Sequence, residues 1–138
     1  MKKYKIWSNT TVLNDYSEGL RYTNSKEDAE IILLGSQSVY LDEFPRLKAI
    51  FRAGVGSDNI PSYEIESRSI LLEFPSSGTK DILYEETANF TISLILKMLY
   101  PTPAVSLPWK KSLRVCLKDK NALIIGTGNI GNRVKNKL

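Results

Sequence analysis

The first part of the chain alternates short apolar runs with longer polar stretches. The second of these runs ends at Gly35 and the third at Ala53-Gly54, as buried parallel strands do. Between the last two runs, residues 59–68 predict a helix with Pro61 near its first turn. Strands that alternate with helices are typical of a parallel α/β sheet. The apolar runs predict four β-strands, at residues 5–7, 29–34, 48–52 and 69–74.

A longer helix is predicted over residues 85–100, where apolar side chains occupy most of the helical circumference. Such a helix is buried between layers or against a partner, and Lys97 together with its short length argues against a membrane span. Prolines then predict a linker over residues 101–111. Beyond the linker, the pattern predicts a strand over residues 122–125, a glycine turn and a helix over residues 130–138.

Composition narrows the classes of function. With 138 residues, 42% of them apolar and 25% charged, the balance is that of a globular protein. A charged N-terminus without an apolar segment after it argues against a signal peptide, and the single Cys116 fits a reducing compartment, so we expect a cytoplasmic protein. The absence of histidine excludes a histidine-based nucleophile pair and any histidine-ligated metal, and we predict no metal site.

The net charge of +4 lies mostly in the last part of the chain, where Asp119 is the one acidic residue after position 100. A basic segment of this kind could meet nucleic acid. Its charges are spread through apparent strand and helix without interleaved aromatic residues, which favours a solvated surface. Nucleic acid is therefore not an expected partner.

Residues 126–131, Gly-Thr-Gly-Asn-Ile-Gly, fit the G-x-G-x-x-G pattern between an apolar strand and a helix. In such a turn the glycines allow a tight bend, a close approach of the backbone to a pyrophosphate, and close packing of helix on strand. The free N–H groups of the following helix then face the phosphates. The pattern predicts a dinucleotide site, and the alternative is a glycine turn kept only for packing.

Three stretches, in this order, resemble the D-isomer-specific 2-hydroxyacid dehydrogenases: residues 47–61, 85–96 and 117–134. The resemblance implies that residues 1–100 form a flavodoxin-like, parallel-sheet substrate domain, in which helix 85–100 passes between domains. It further implies that the linker leads into the first strand, turn and helix of an incomplete, NAD-binding Rossmann domain at residues 112–138.

The resemblance also implies roles for particular residues. In that family the backbone amides matching Val55 and Gly56 hold the substrate carboxylate, as consecutive N–H groups in an anion nest can, and Ser36 matches a position that faces the substrate. The alternative for this loop is a strand-ending turn fixed by its glycines. NAD is the implied cofactor, and the implied cofactor-binding residues are Gly126, Gly128, Asn129, Ile130 and Gly131.

The family's catalytic arginine, glutamate and histidine match no position of this sequence, so no catalytic residue is assigned. We expect the N-terminal part of an NAD-dependent oxidoreductase acting on a small D-2-hydroxy acid or 2-oxo acid, truncated and catalytically incomplete, with weak or no binding of NAD by this chain. The alternative is a non-catalytic, flavodoxin-like binding or dimerisation module. In either case the resemblance implies a homodimer formed through helix 85–100.

Overall fold

The computed structural model describes residues 4–16, 18–100 and 116–138. The chain divides into two compact units, residues 1–80 and 81–138, and the boundary falls within the longest helix. The predicted linker at residues 101–111 lies outside the described residues. The predicted division into a substrate domain and the start of a Rossmann domain therefore stays a prediction.

Unit one is built on a five-stranded parallel sheet. Its strand order is β2-β1-β3-β4-β5, the order of flavodoxin-like folds, and the predicted fold class is confirmed. The register is continuous across the central strands, where Ile32 of β3 pairs with Trp7 of β1 and with Ile50 of β4. The strands are β1 (Lys5–Ser8), β2 (Arg21–Tyr22), β3 (Ile31–Leu34), β4 (Ala49–Arg52) and β5 (Leu71–Glu73).

All four predicted strands are present: β1 extends one residue further than predicted, to Ser8, and the other three are one to three residues shorter. The strand that the sequence did not predict, β2, has two residues at the edge of the sheet, both exposed, so no apolar run marks it. The predicted helix at 59–68 is α1 (Ser62–Ser67), which follows Pro61. Short 3-10 helices occupy Asn14–Tyr16 and Leu41–Glu43.

The core of unit one lies where the central strands meet the segment around Phe44. Phe44 is fully buried, and its ring meets the Trp7 ring edge-on at a centroid distance of 5.1 Å. The Arg68 guanidinium donates hydrogen bonds to the carbonyl oxygens of Leu41 and Phe44 and so ties the end of α1 to this segment. The buried core side chains are Ala29, Ile32, Leu34, Val39, Leu41, Phe44, Leu47, Ile50, Ile60, Ile65 and Ile70.

The long helix α2 (Ser77–Leu99) begins eight residues before the predicted start at residue 85. Ser76 caps it: its Oγ accepts a hydrogen bond from the Thr79 N–H at 3.3 Å, and its carbonyl accepts one from the Lys80 N–H at 2.9 Å. Serine is a preferred residue at this position because its oxygen satisfies an N–H that has no partner within the helix. The predicted start was wrong because Pro75 and Ser76, which suggest a loop, here mark the beginning of the helix.

Unit two contains the rest of α2, a 3-10 helix at Leu117–Asp119 and α3 (Asn129–Lys137), so the predicted helix after the glycine turn is confirmed. The predicted strand at 122–125 pairs with no strand among the described residues, and Leu123 and Ile125 are 88% and 93% exposed. A strand forms only by pairing with another, because its backbone groups need partners.

Ion pairs join α3 to α2 within unit two. The Arg133 guanidinium lies 3.0 Å from the Asp81 carboxylate, 3.4 Å from that of Glu85, and over the Tyr84 ring at 5.4 Å. The Lys137 ammonium lies 2.6 Å from a Glu85 oxygen. The hydrogen bond from Lys137 is the largest influence on the pKa of Glu85 and lowers it from its ordinary value of 4.5. Desolvation, the next largest, opposes this change, and the charges of Lys137 and Arg133 lower the pKa further.

Candidate functional site

The strand order creates a topological switch point between β1 and β3. From β1 the chain continues to β2, toward one edge of the sheet, and from β3 it continues to β4, toward the opposite edge. In open α/β sheets, ligands bind in the crevice outside the carboxyl ends of the strands at such a point. Ser36 follows the carboxyl end of β3, and Val55 and Gly56 follow that of the adjacent β4.

Val55 and Gly56 lie in a half-buried loop that begins directly after β4. The backbone N–H groups of Gly54, Val55 and Gly56 donate to no acceptor among the residues that the structure describes. Gly54 and Gly56 have ordinary backbone angles: among the described glycines, those with a positive φ are Gly19 and Gly126. Three successive N–H groups that have no acceptor among the described residues form the kind of donor row that can bind an anion.

The glycines of this loop provide space. A Cβ on Gly54 would lie 3.0 Å from Nη1 of Arg52, and a Cβ on Gly56 would lie 2.9 Å from Oδ1 of Asp58. Both neighbours are the flexible ends of long or exposed side chains. Neither Gly54 nor Gly56 has a positive φ. The backbone angles of this loop therefore do not support the alternative interpretation, a turn fixed by glycine conformation.

Ser36 is exposed, and neither its hydroxyl nor its N–H donates to a described residue. The Gly35 N–H before it donates to Oδ1 of Asn9, the residue after β1. A Cβ on Gly35 would lie 3.0 Å from the Asn9 carbonyl oxygen and from Cβ of Thr10, so glycine is required there for close approach of two backbones.

Two side chains join the Ser36 loop to the Val55–Gly56 loop. Arg52 donates from Nε to the Gly56 carbonyl at 3.1 Å and from Nη1 to the Leu34 carbonyl at 3.2 Å. Asn59 donates from Nδ2 to the carbonyls of Gly35 at 3.0 Å and Gln37 at 3.1 Å. The structure thus brings the predicted substrate residues onto two adjacent, cross-linked loops.

Sequence reasoning missed Asn9, Arg52 and Asn59 as residues of this site. Each is a polar residue at or just beyond the carboxyl end of a strand, or in the loop that follows it, and that placement is the one signal that the sequence offered. Two opposite charges lie near Gly56. The Arg52 guanidinium donates to the Gly56 carbonyl, and the exposed Asp58 carboxylate lies beside Gly56. A bound anion would be attracted by the first group and repelled by the second.

The glycine turn of residues 126–131 lies in unit two and has the geometry expected of each of its glycines. Gly126 has a φ of +101°, which favours glycine. A Cβ on Gly128 would meet nothing within 4 Å, so the space above the N-terminus of α3 is open. A Cβ on Gly131 would overlap the Gly126 carbonyl oxygen, so this position requires glycine for close packing.

Asn129, Ile130 and Gly131 form the first turn of α3, and Gly128 precedes it. The N–H groups of a first helical turn have no partners within the helix, and the first internal bond here runs from the Asn132 N–H to the Gly128 carbonyl at 3.0 Å. The Asn132 side chain donates to the Thr127 carbonyl at 2.7 Å and fixes the turn. Open space and free N–H groups are what a phosphate needs at a helix N-terminus.

Across the described ranges, no group of acidic or cysteine side chains is arranged to hold a metal ion. Among the same residues, no helix is both long and apolar enough to cross a lipid bilayer.

Comparison with known proteins gives relatives by structure. No family model matches the sequence, and no curated protein matches it. The D-lactate dehydrogenase of Aquifex aeolicus, solved with NAD and lactic acid, matches 96% of this chain and 47% of its own, with a TM-score of 0.70 and 22% identity.

An NADPH-dependent glyoxylate/hydroxypyruvate reductase from Sinorhizobium meliloti, solved with citrate, matches 99% of this chain and 50% of its own, with a TM-score of 0.63 and 18% identity. The same enzyme was also solved with NADP and malonate. The chain spans about half the length of the structures that it matches. The predicted resemblance is confirmed at the level of fold: the part of the chain that the structure describes has part of the fold of the D-2-hydroxyacid dehydrogenases.

Proposed function

We propose that this chain is the N-terminal portion of a cytoplasmic, NAD(P)-dependent oxidoreductase acting on a small D-2-hydroxy acid or 2-oxo acid. The observation that carries the proposal is the row of N–H groups from Gly54 to Gly56, which have no acceptor among the described residues and follow the carboxyl end of β4, beside the Ser36 loop after β3. In the proposal, residues 1–100 are the substrate domain and residues 112–138 begin the cofactor domain.

The proposed roles follow from hydrogen-bonding capacity. The N–H groups of Val55 and Gly56 donate to the substrate carboxylate, and the Ser36 hydroxyl and N–H donate from the neighbouring loop. Backbone donors suit this task because they are fixed by the sheet and need no reorganisation when an anion arrives. The proposal assigns no general acid or base to residues 1–138, so this chain binds the acid and does not turn it over.

The glycine turn is the proposed dinucleotide contact. Gly128, Asn129 and Ile130 would place backbone N–H groups against the pyrophosphate, while Gly126 and Gly131 shape the turn. When bound, the nicotinamide group accepts or donates the hydride. For this chain alone we expect NADH to bind in the millimolar range or more weakly, measured as a change in NADH fluorescence during titration. Micromolar binding would show that the turn needs no further residues.

Titration with D-lactate tests the substrate site. In an isotope-labelled chain, the backbone amide signals of Val55, Gly56 and Ser36 are expected to shift and saturate, with a dissociation constant in the millimolar range. Sodium chloride at the same ionic strength is the control for a general salt effect. Shifts at these three amides no larger than those caused by chloride would contradict the proposal.

A charge variant sharpens this test. Asp58→Asn removes the carboxylate beside Gly56 and leaves the side-chain shape nearly unchanged. We expect D-lactate to bind about two- to fivefold more tightly to this variant, the scale of one partly screened surface charge pair. The matched control is Asp42→Asn, which alters an exposed carboxylate of the 3-10 helix before Phe44. Equal affinities in all three proteins would place the acid elsewhere.

A second candidate function, a dimerisation module, is favoured by the exposed surface of α2. At about 100° per residue, Leu83, Phe90, Leu94 and Met98 fall on one stripe of the helix. All four are exposed, Phe90 by 63% and Met98 by 74%. A row of large apolar side chains in contact with water is typical of an interface. The proposed partner is a second copy of the chain, bound through helix 85–100.

Sedimentation equilibrium over a range of concentrations tests the dimer. Leu94→Lys places a charge within the stripe and is expected to shift the chain toward monomer by at least tenfold in dissociation constant. Asn89→Lys places the same charge on another side of α2, at an exposed position, and is expected to leave association unchanged. A wild-type chain that stays monomeric at the highest concentration refutes this candidate.

A further inference from the structure

Two asparagine side chains converge on the loop that carries Ser36. Asn9, after β1, and Asn59, after β4, lie far apart in sequence, but the sheet order places their loops on either side of the loop after β3. Their amides bond the peptide groups that flank Ser36, and neither amide bonds Ser36 itself.

Together the two amides make four hydrogen bonds to this loop. Oδ1 of Asn9 accepts from the Gly35 N–H, and its Nδ2 donates to the Gln37 carbonyl at 3.3 Å. Nδ2 of Asn59 donates to the carbonyls of Gly35 and Gln37. Side-chain amides combine donors and an acceptor in one planar group, so they can replace the strand pairing that this loop lacks.

The orientation of the Asn59 amide is fixed by its partners. A flipped amide would turn its oxygen toward two carbonyl oxygens and lose both bonds. The observed orientation leaves Oδ1 of Asn59 buried without a hydrogen-bond partner among the described residues. A buried acceptor without a partner is unfavourable, but the flipped amide would give up both bonds to the Ser36 loop.

We infer that Asn9 and Asn59 are positioning residues: they hold the Gly35–Gln37 loop so that the hydroxyl and N–H of Ser36 form a preorganised second arm of the acid-binding site. The inference rests on the proposed function, because it assigns the acid carboxylate to that site. Fixing a loop in its bound conformation strengthens binding because less freedom is lost when the ligand arrives. Without the amides, the loop is competent for only a fraction of the time, and affinity falls by that fraction.

Asn59→Leu tests the inference, because leucine has a similar shape, carries no charge and removes both donors. We expect D-lactate to bind about tenfold more weakly. The Ser36 amide is expected to lose its D-lactate shift and to show increased motion in ¹⁵N relaxation, while the Val55 and Gly56 amides still shift. A general loosening of the fold would instead weaken all three responses. Asn121→Leu, an exposed position in unit two, is the matched control.

Asn9→Leu provides a second test from the other side of the loop and is expected to reproduce the Ser36-specific loss. If the wild-type chain binds D-lactate and both variants bind it equally well with an unchanged Ser36 response, the inference is overturned while the proposed function stands. If the wild-type chain binds no D-lactate, the proposed function fails. Ligand-free relaxation then decides the positioning role: an ordered Ser36 in both variants overturns it, and a mobile Ser36 supports it.

Discussion

Replacing Phe44 is the sharpest test of how unit one is held together. Its side chain is fully buried against the sheet, meets Trp7 edge-on at 5.1 Å, and belongs to the segment whose carbonyls accept hydrogen bonds from Arg68. Truncating a buried phenylalanine to alanine costs about 3–5 kcal/mol, because apolar contact is lost and a cavity remains.

The size of unit one puts this loss in proportion. For its 80 residues, a typical stability of 0.05–0.15 kcal/mol per residue gives about 4–12 kcal/mol in total. Phe44→Ala therefore removes a large part of the stability of the unit. Phe44→Leu keeps most of the volume and loses the aromatic edge contact, so we expect a loss of about 1–2 kcal/mol.

Amide hydrogen exchange at Ile32 and Ile50 measures this loss for unit one alone, because both residues lie in its central strands and are fully buried. Each 1.4 kcal/mol corresponds to about tenfold faster exchange, so Phe44→Leu should accelerate it roughly five- to thirtyfold. Tyr40→Ala, which removes an exposed aromatic side chain from the same segment, should change exchange little. Wild-type exchange rates in Phe44→Leu would refute the packing argument.

Two further predictions concern unit two. Because the Lys137 hydrogen bond lowers the pKa of Glu85 in the folded chain, this pair stabilises α3 at pH values above the ordinary value of 4.5, and the effect is lost as the pH falls through the lowered pKa. In Lys137→Met, NMR titration of the Glu85 carboxyl should show that its pKa has risen. An unchanged pKa would contradict the assignment. Gly131→Ala should perturb the amide signals of the whole turn and of α3, because its Cβ would overlap the Gly126 carbonyl. Gly128→Ala places its Cβ in open space and should perturb only the neighbouring amides. Equal effects of the two variants would show that the turn is not closely packed.

The strands of unit one were predictable because burial and pairing coincide in them. Residues of β3 are mostly buried, so they form an apolar run that ends at Gly35. The edge strand β2 is exposed at both positions and leaves no such run. The segment at 122–125 shows the reverse case: its apolar run is a local property, whereas a strand requires a partner that no described residue provides.

The body of a helix was easier to predict than its start. The body of α2 was visible in its apolar residues, but its start depends on the Ser76 cap, which stands between Pro75 and Gly78 in a sequence that suggests a loop. Hydrogen bonds from the Thr79 and Lys80 N–H groups to Ser76 support the helix at this stretch. Composition alone does not distinguish the two.

The candidate site divides in the same way. The glycine-rich loop after β4 was predictable because glycines that end a strand stand out in a sequence. Asn9 and Asn59 were not, because a lone asparagine has no periodicity, and its role depends on which loops the sheet order makes neighbours. That order is set by the crossover connections of the whole sheet, which no short stretch encodes.

The hydrogen bonds around the proposed acid site show which residues hold its loops in place. Among the described residues, the side-chain hydrogen bonds that hold the Ser36 and Val55–Gly56 loops come from Asn9, Arg52 and Asn59, all within unit one. The glycine turn, by contrast, is held by residues of unit two, including Asn132. The proposed acid site therefore depends on the packing of β1, β3 and β4, to which the buried Phe44 contributes. The glycine turn supplies none of those contacts, so the proposed acid site and the proposed dinucleotide contact can be tested one at a time.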